Sequence, residues 1–396
     1  MTPKERLLTA MVNGIPDRVP ACPDFSNYIP CKRTGLPFWD IYFYGKVPLW
    51  QAYLNAADHF GTEAWMASCT GVPFTWEPSR VEYRSEDVHR SDMDAMVRRT
   101  TIRTPDGDMT SESTCMRSDP PSPTEKPIKD LTRDFRKFKW TMGTPTGIDM
   151  PAWNEMRRAC EKREQAFGVC VGYPGFQAWS CFVERGVEPL AYAQIDSPEI
   201  LDEWFELDMA HGTRAVELAL AARPDYLLFG GSGTITMASP SLAAKYAIPA
   251  LKKWSRMARD AGVPTMLHSC GKERILVDML AEDTDVNCVN PLEPAPMGDV
   301  DLAELKQAHG GRLALMGNLH TTDVMLRGSV QDVRRESLKA IRAAGGNGGF
   351  ILSSGDQCGR DTPDENIREM VRVGEEFGTY PLDLALIDRE IERLGG

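Results

Sequence analysis

The stretch MLHSCG at residues 266–271 places a histidine and a cysteine two positions apart, at the end of a short apolar run. Imidazole nitrogen and thiolate sulfur are ligands that zinc prefers, and catalytic zinc sites use three protein ligands with one open position. A single His-x-Cys pair is more often an incidental feature of a strand end. A distant cysteine, Cys358, follows a later apolar run in a matching position. His268, Cys270 and Cys358 are therefore the candidate zinc ligands.

Three further polar residues follow apolar runs of the same kind. They are Glu293 after VNPL, His320 after GNL, and Asp356, which stands two positions before Cys358. Glu293 is either a fourth ligand that substrate displaces or a group that hydrogen-bonds a ligand. His320 either binds substrate or gives a proton to a leaving oxygen, or it is a loop histidine without chemistry. Asp356 either hydrogen-bonds a zinc-bound histidine or is only a turn residue. These three are the candidate catalytic residues.

The elements that would position these residues form a regular series from about residue 165 onward. Apolar runs alternate with amphipathic stretches, and the runs are FGVCVG, DYLLFGG, VPTMLH, DVNCVN, RLALMG and GGFILSS. Five or six successive strand–helix units imply a parallel sheet. We expect a (β/α)8 TIM barrel because the units continue without a break, and an open doubly wound sheet is the alternative. In a barrel the carboxyl ends of the strands form one face, which would gather the polar residues.

Capping signals predict where individual helices begin. Ser197, followed by a proline, opens a long helical stretch, and Ser239 opens another. Pro249 should kink or break this second helix, because proline lacks the backbone N–H that an inner turn requires. Thr362 and Glu365 have the spacing of a capping box at the start of the last predicted helix.

The first 150 residues differ from the rest, with more proline and tryptophan and weaker periodicity. The chain begins with an amphipathic helical pattern, MTPKERLLTAMVNG. Residues 95–118 alternate on both sides of a PDG turn and predict a β-hairpin. PPSPTEKPIKDL at 120–131 has the composition of a surface connection. We expect one barrel domain over 1–396, in which 1–150 supplies N-terminal helices, the first strands and the hairpin, and 165–396 the regular units.

Composition limits the possible partners and the compartment. Hydrophobic residues make up 42% of the 396, enough for a large core, and the net charge is −12, which disfavours nucleic acid. No apolar run approaches the roughly 18 residues that cross a membrane. The ten scattered cysteines form no disulfide framework. We expect a cytoplasmic protein with free thiols and neither a membrane nor a nucleic-acid partner.

Several motifs carry a family resemblance along nearly the whole chain. They are MTPKERLLTAMVNGIPDRVP, HSCG, NPLEP with the following DLAELK, GNL, and a cysteine followed by TPDENI. With them the chain resembles the uroporphyrinogen decarboxylase superfamily and, within it, the zinc-dependent corrinoid methyltransferases. That branch holds zinc with a His-x-Cys pair and a distant cysteine, a pattern that His268, Cys270 and Cys358 match one by one. The resemblance also implies a possible homodimer.

The chain departs from the decarboxylase branch at two places. That branch has an arginine-rich segment near its N-terminus and an active-site aspartate, whereas this chain reads CPDFSNYIPCKRTG and AWMASCTGVPF there. We therefore favour a zinc-dependent methyltransferase that moves a methyl group between a small substrate and the cobalt of a corrinoid (cobalamin) protein. A methoxy aromatic is the expected substrate, as in O-demethylation. The alternatives are a methylcobalamin:thiol transferase of coenzyme M type, a decarboxylase, and a non-catalytic corrinoid- or tetrapyrrole-binding protein.

Substrate and partner are expected at the same face. Tyr173, Phe176 and Trp179 follow an early strand and either line an aromatic substrate pocket or belong to the core; Asn318 is a further candidate substrate-binding residue. The nearest approach to the D-x-H-x-x-G signature of a cobalamin module is DMAHGT at 208–213, which fails it. The corrinoid should therefore arrive on a separate protein, which docks transiently over the glycine-rich loop 230–238.

Overall fold

The structure is a computed structural model that describes residues 1–25 and 27–395. Its strands are β1 (Phe74–Trp76), β2 (Glu82–Arg90), β3 (Ala95–Thr104), β4 (Gly107–Met116), β5 (Ser122–Glu125), β6 (Pro145–Ile148), β7 (Gly168–Gly172), β8 (Tyr226–Gly230), β9 (Thr265–His268), β10 (Cys288–Asn290), β11 (Ala314–Leu319) and β12 (Phe350–Ser354).

Helices occupy most of the remaining chain. They are α1 (Pro3–Met11), α2 (Tyr28–Thr34), α3 (Phe38–Tyr42), α4 (Leu49–Phe60), α5 (Leu131–Phe138), α6 (Met150–Glu161), α7 (Phe176–Trp179), α8 (Val187–Asp196), α9 (Pro198–Ala221), α10 (Pro240–Leu242), α11 (Ile248–Asp260), α12 (Arg274–Asp283), α13 (Leu302–His309), α14 (Val330–Ala344), α15 (Asp364–Phe377) and α16 (Leu384–Arg393). Short 3-10 turns cover Met66–Cys69 and Lys139–Thr141, and π-helical turns cover Ala243–Ala247 and Thr321–Leu326.

Six parallel strands form the main sheet in the order β12-β11-β10-β9-β8-β7. Single parallel bridges extend both edges, from Ala21 to Leu352 and from Gly71 to Cys170. The first two barrel positions are thus occupied by short segments, and the backbone N–H of Ala21 donates to the Glu63 carboxylate at 2.8 Å between them. The predicted barrel is confirmed as a TIM-barrel-like fold. The strands are almost entirely buried, as expected where helices cover a parallel sheet.

The segment between the second and third barrel positions forms an excursion with its own sheet. The predicted hairpin is confirmed: β3 and β4 pair antiparallel from Ala95–Met116 to Thr104–Gly107. The sheet order is β2-β3-β4-β5, so the hairpin is the centre of four strands. The stretch at 120–131, predicted to be only a surface connection, contains the edge strand β5. Its Pro123 is compatible with this place, because an edge strand needs fewer backbone donors.

The capping predictions are partly confirmed. Ser239 accepts from the N–H of Leu242, and a π-helical turn separates this start from α11, in whose first turn Pro249 lies. Ser197 precedes α9 but makes no capping bond with its side chain. The capping box at Thr362 is wrong. Helix α15 begins at Asp364 after Pro363, and the Thr362 hydroxyl is buried without a hydrogen-bond partner among the described residues.

Helix α1 covers the amino end of the barrel, and a group of charges there is fully paired. We call Arg6, Asp17, Arg18 and Glu63 the amino-end cluster. The Glu63 carboxylate, 1% exposed, accepts from Arg6 at 2.6 Å and from Arg18 at 2.9 Å, and Arg6 also binds Asp17 at 2.7 Å. These ion pairs tie α1 to the start of the second barrel position.

All ten cysteines are free of disulfide bonds, and the sequence predicted that most would be free thiols. No helix in the described part of the chain is long and apolar enough to cross a membrane.

Candidate metal centre and its cavity

The carboxyl ends of the barrel strands bring together the polar residues that the sequence singled out. Ligand atoms of Cys270, Glu293 and Asp356 lie within 4.8 Å of one another, and so do those of Asp24, His268 and Asp356. Asp356 belongs to both groups. The candidate centre thus combines an imidazole, a thiol and three carboxyl groups from loops after four different barrel positions.

The orientation of His268 is set by its neighbour on β10. The imidazole Nδ1–H donates to the Asn290 side-chain oxygen at 2.6 Å. This bond leaves the lone pair of Nε2 for a ligand, and Nε2 lies 3.9 Å from a carboxylate oxygen of Asp356. The Trp65 ring packs at 5.6 Å from the imidazole. A histidine whose second nitrogen is held in this way is the usual arrangement at metal sites.

The two cysteines differ in their surroundings. Burial raises the pKa of the Cys270 thiol to about 12, and the Asp356 carboxylate adds to that effect. Burial also raises the pKa of Cys358 to about 12, although the Ser354 hydroxyl acts against it. Cys358 is 0% exposed, its backbone N–H donates to the Asp24 carbonyl at 2.6 Å, and it belongs to neither group of clustered ligand atoms in the described residues.

Two buried glutamates have oxygen atoms without partners. Glu293 accepts from the backbone N–H of Gly271 through Oε2, while its buried Oε1 has no hydrogen-bond partner in the described chain. Glu273 accepts from the N–H groups of Leu292 and Glu293, and its own Oε1 is likewise unpartnered among the described residues. Burial raises the pKa of both carboxyl groups. A buried oxygen without a donor is costly, which is the condition that a cation or proton would relieve.

The backbone of Asp356 is in an unusual conformation. Its φ is 105°, in the region that favours glycine. Such a conformation costs roughly 1–3 kcal/mol for another residue and persists where surrounding structure holds it, often at functional sites. The position of Asp356 beside His268 and Cys270 therefore requires a backbone conformation that costs free energy.

The donor set fits zinc. One nitrogen, one sulfur and carboxylate oxygens are all ligands that zinc accepts, and catalytic zinc sites combine three of them with an open position. The Oε1 atom of Glu293 has no hydrogen-bond donor among the described residues, which independently indicates that a positive group is missing beside this carboxylate. The high pKa values of the thiols mean that a bound cation would displace their protons.

A cavity of about 510 Å³, which we call the mouth cavity, opens beside this centre. His268 and Asp356 line it together with Asp24, Trp65 and Ser232. Ser232 belongs to the loop 230–238, which the sequence placed at this face. No lysine or arginine lines the cavity within the described ranges. Asp24 and Trp65 were missed because their barrel segments are too short to give a strand pattern.

The other candidate residues lie elsewhere. His320 and Asn318 line a separate groove of about 370 Å³ beside α13 and α14. The His320 Nδ1 accepts from the N–H groups of Thr322 and Asp323, so this ring caps the following turn. Its buried Nε2 has no hydrogen-bond partner within the described residues.

The aromatic residues after β7 divide into two groups. Phe176 and Trp179 belong to the core beneath the excursion, at 2% and 1% exposure, and Trp179 stacks on Trp204 at 5.3 Å. This placement agrees with the core alternative for these two residues, and the α7 residues that line the mouth cavity are Gln177 and Ala178. Tyr173 lies beside the centre, with its hydroxyl 2.6 Å from the Thr234 hydroxyl.

Comparisons with known proteins find similarities that lie mainly in the second half of the barrel. Residues 225–377 match the family described as uroporphyrinogen decarboxylase (URO-D). A uroporphyrinogen decarboxylase of Trichodesmium erythraeum is 26% identical over 209 residues, covering 50% of this chain and 53% of that protein. The methylcobamide:CoM methyltransferase MtbA of Methanosarcina mazei is 26% identical over 192 residues, covering 46% and 49%. The chain thus spans about half the length of these curated relatives.

A solved structure extends the likeness in fold. A methyltransferase from Methanosarcina mazei superposes with a TM-score of 0.65, over 95% of this chain and 99% of that chain, at 19% identity. At this identity the match concerns the fold alone. The matched family segment contains His268, Cys270, Glu293 and Asp356. Residues 225–377 thus match the uroporphyrinogen decarboxylase (URO-D) family model, within a barrel that has the same fold as a methyltransferase from Methanosarcina mazei.

Proposed function

We propose that this protein is a zinc-dependent methyltransferase, which moves a methyl group between a small methylated substrate and the cobalt of a corrinoid protein. The observation that carries the proposal is the meeting of His268, Cys270, Glu293 and Asp356 at one end of the barrel. The likeness to a corrinoid-using relative supports the same reaction class. A methoxy aromatic is the proposed substrate, and a thiol acceptor of coenzyme M type is the alternative.

The proposed zinc ligands are His268, Cys270 and Cys358. Asp356 competes with Cys358 for the third place, since its carboxylate belongs to both groups of clustered ligand atoms. When bound, zinc would either lower the pKa of a thiol acceptor or polarise the heteroatom of a methyl donor. Either role requires one ligand position that substrate can occupy.

The surrounding residues orient the ligands and receive the substrate. Asn290 holds the imidazole of His268 through Nδ1 and keeps Nε2 directed to the centre. The free oxygen of Glu293 is placed to accept a proton or to yield its position to substrate. Asp24 and Trp65 line the mouth cavity, in which the methyl group would be presented to the corrinoid. His320 lines another groove, so we assign it no proton transfer.

The corrinoid would come from a partner protein that docks over the carboxyl end of the barrel. The loop 230–238 borders the mouth cavity through Gly230, Gly231 and Ser232 and is the proposed contact. The contact should be transient and small, because the partner must also serve a second enzyme. Cytoplasmic location and a homodimer remain predictions.

Decarboxylation of a tetrapyrrole is the second candidate, because curated relatives carry that name. A substrate with many carboxylates calls for cationic side chains. The described lining of the mouth cavity contains Asp24 and Asp356 and neither lysine nor arginine. This charge favours the methyltransferase.

The test is an assay of purified protein with measured zinc content. Free cob(I)alamin and a panel of methoxy aromatics and other methyl donors would be supplied, and methylcobalamin would be followed by its absorbance. We expect stoichiometric zinc and methyl transfer with at least one donor. Zinc-loaded protein that transfers no methyl group in either direction, including from methylcobalamin to thiols, would overturn the proposal.

Two variants distinguish the third ligand. Cys358→Ala should lower zinc affinity strongly if Cys358 binds the ion, and Asp356→Asn should then have a small effect. The reverse order would assign the place to Asp356. The control is Cys115→Ala, whose cysteine is buried in the excursion away from the centre and should leave zinc binding unchanged.

A further inference from the structure

A second cavity lies beside the mouth cavity and has a different character. This side cavity, of about 410 Å³, lies between the end of β7 and helix α9. Its volume is within the range of small-molecule sites, roughly 300–1,000 Å³. Cys170 and Ala178 line both cavities, so they share a wall. A ligand in the side cavity would therefore lie next to the candidate centre.

The side cavity contains one carboxyl group in mainly apolar surroundings. Asp208 lines it and accepts from the indole N–H of Trp179 at 2.6 Å. Burial raises the pKa of Asp208 to about 6, and the hydrogen bond from Trp179 acts against that rise. No ion pair to Asp208 occurs in the described ranges, and His211, which also lines the cavity, donates its Nδ1–H to the Gly143 carbonyl. The cavity thus contains a carboxyl group that has no ion-pair partner among the described residues.

Aromatic residues form much of the remaining lining. They are Phe74, Tyr173, Phe182 and Trp254. Aromatic rings attract organic cations through their negative faces, most strongly where water is excluded. A carboxylate among aromatic residues selects for a positive group over a neutral one of the same shape. The same lining would disfavour an anion.

We propose that the side cavity binds an organic ammonium group, of the size of a trimethylammonium head. The binding stands on Asp208 and the aromatic lining; its further role, as the anchor of a methylated substrate that also carries an ammonium group, rests on the proposed function. Tyr173 borders the side cavity, and its hydroxyl contacts Thr234 and the backbone oxygen of His268. It is therefore the residue that connects the cation site with the candidate centre.

Gly71 is a position at which a larger side chain can be tested beside the side cavity. A side-chain carbon added there would meet no heavy atom within 4 Å, and Gly71 lines the side cavity. Gly311 has the same open space, is exposed, and lies away from both cavities. Gly71→Leu and Gly311→Leu are therefore a matched pair.

The experiment is calorimetric titration of the full chain with choline and with its neutral isostere 3,3-dimethylbutan-1-ol. We expect choline to bind roughly tenfold more tightly. Asp208→Asn should remove that preference while keeping an acceptor for Trp179. Gly71→Leu should weaken both ligands, and Gly311→Leu should leave both unchanged. Equal affinity of the two ligands, an unchanged preference in Asp208→Asn, or no choline binding at millimolar concentration would overturn the inference.

A zinc-chelated sample separates this inference from the proposed function. Choline binding that persists after zinc removal, in a protein that transferred no methyl group when loaded with zinc, would support the cation site and count against the methyltransferase. Methyl transfer by a zinc-loaded protein that does not bind choline would support the methyltransferase and overturn the cation site.

Discussion

Buried carboxyl groups lie at both ends of the barrel, but they differ in their hydrogen-bond and ion-pair partners. At the amino end, the Glu63 carboxylate forms ion pairs with Arg6 and Arg18 and accepts a hydrogen bond from the backbone N–H of Ala21. At the carboxyl end, Glu293 and Glu273 each retain a buried oxygen without a partner in the described chain. Both ends bury carboxyl groups, but among the described residues these glutamates have cationic partners only at the amino end.

This difference links the amino end to the stability of the fold and the carboxyl end to the binding of a cation. Removing one partner of a buried ion pair destabilises the fold, because the other charge stays buried without compensation. An incomplete polar group lowers stability and creates a place where a cation is favourable. The comparison predicts that substitutions at the amino end affect unfolding, whereas those at the carboxyl end affect metal binding.

The largest effect is expected at Cys270. Cys270→Ala removes a proposed zinc ligand, so methyl transfer should fall by more than the roughly 10–100-fold that loss of an outer partner costs. The fold should survive, because the barrel core does not depend on one ion. Zinc content and activity per folded chain are the measurements. Full activity in a zinc-free Cys270→Ala protein would refute the assignment.

Glu63→Gln should give the largest loss of stability. It leaves Arg6 and Arg18 without their shared carboxylate, which costs about 3–5 kcal/mol where a buried pair is broken. Denaturant unfolding measures the effect, and zinc affinity should not change. Glu161→Gln is the control, since Glu161 is exposed and makes no ion pair within the described part of the chain. Equal stability of the two variants would contradict the role of the amino-end cluster.

Asn290→Leu should weaken zinc binding without removing a ligand. Loss of the bond to His268 Nδ1 should lower zinc affinity by roughly 10–100-fold. Asn290→Asp keeps an acceptor and should retain most of the affinity. Competition with a chromogenic chelator measures both variants. If Leu and Asp at this position bind zinc equally well, the orienting bond has no role.

A pair of substitutions at Asp356 tests the strained backbone. Glycine and alanine both remove the carboxylate, but only glycine adopts a φ of 105° easily. The free energy of unfolding of Asp356→Gly should exceed that of Asp356→Ala by about 1 kcal/mol. The two variants should share the same zinc affinity. A less stable glycine variant would show that this backbone is not strained.

The smallest effect concerns the pH dependence of the amino-end cluster. The hydrogen bond from Arg6 holds the pKa of Asp17 well below its usual range. Its stabilising contribution is therefore present above the unfolded pKa of about 3.9 and is lost as the pH falls through the folded value. Because the Asp17 side chain is 40% exposed, Asp17→Asn should cost at most about 1 kcal/mol at pH 7. The difference in unfolding free energy between the two proteins should shrink progressively as the pH falls below about 3.9; a constant difference would contradict the linkage.

Much of the regular half of the molecule could be predicted from the sequence. Periodicity predicted the strands from β7 to β12 and the helices between them, because apolar runs at regular spacing have few alternative arrangements. His268, Cys270, Glu293 and Asp356 were found by their position after these runs. The first two barrel positions gave no such pattern, so Asp24 and Trp65 were missed.

Other features depended on side-chain packing that no local pattern describes. The sequence by itself determined that a histidine, a cysteine and carboxylates stand at the ends of buried strands. Tertiary structure decided that Asp356 lies between His268 and Cys270, while Cys358 contacts the Asp24 backbone. It also decided that helix α7 directs Gln177 to the cavity and Trp179 to the core. The physical reason is that strand order follows from local periodicity, whereas the rotation of a helix and the path of a loop depend on contacts between residues distant in sequence.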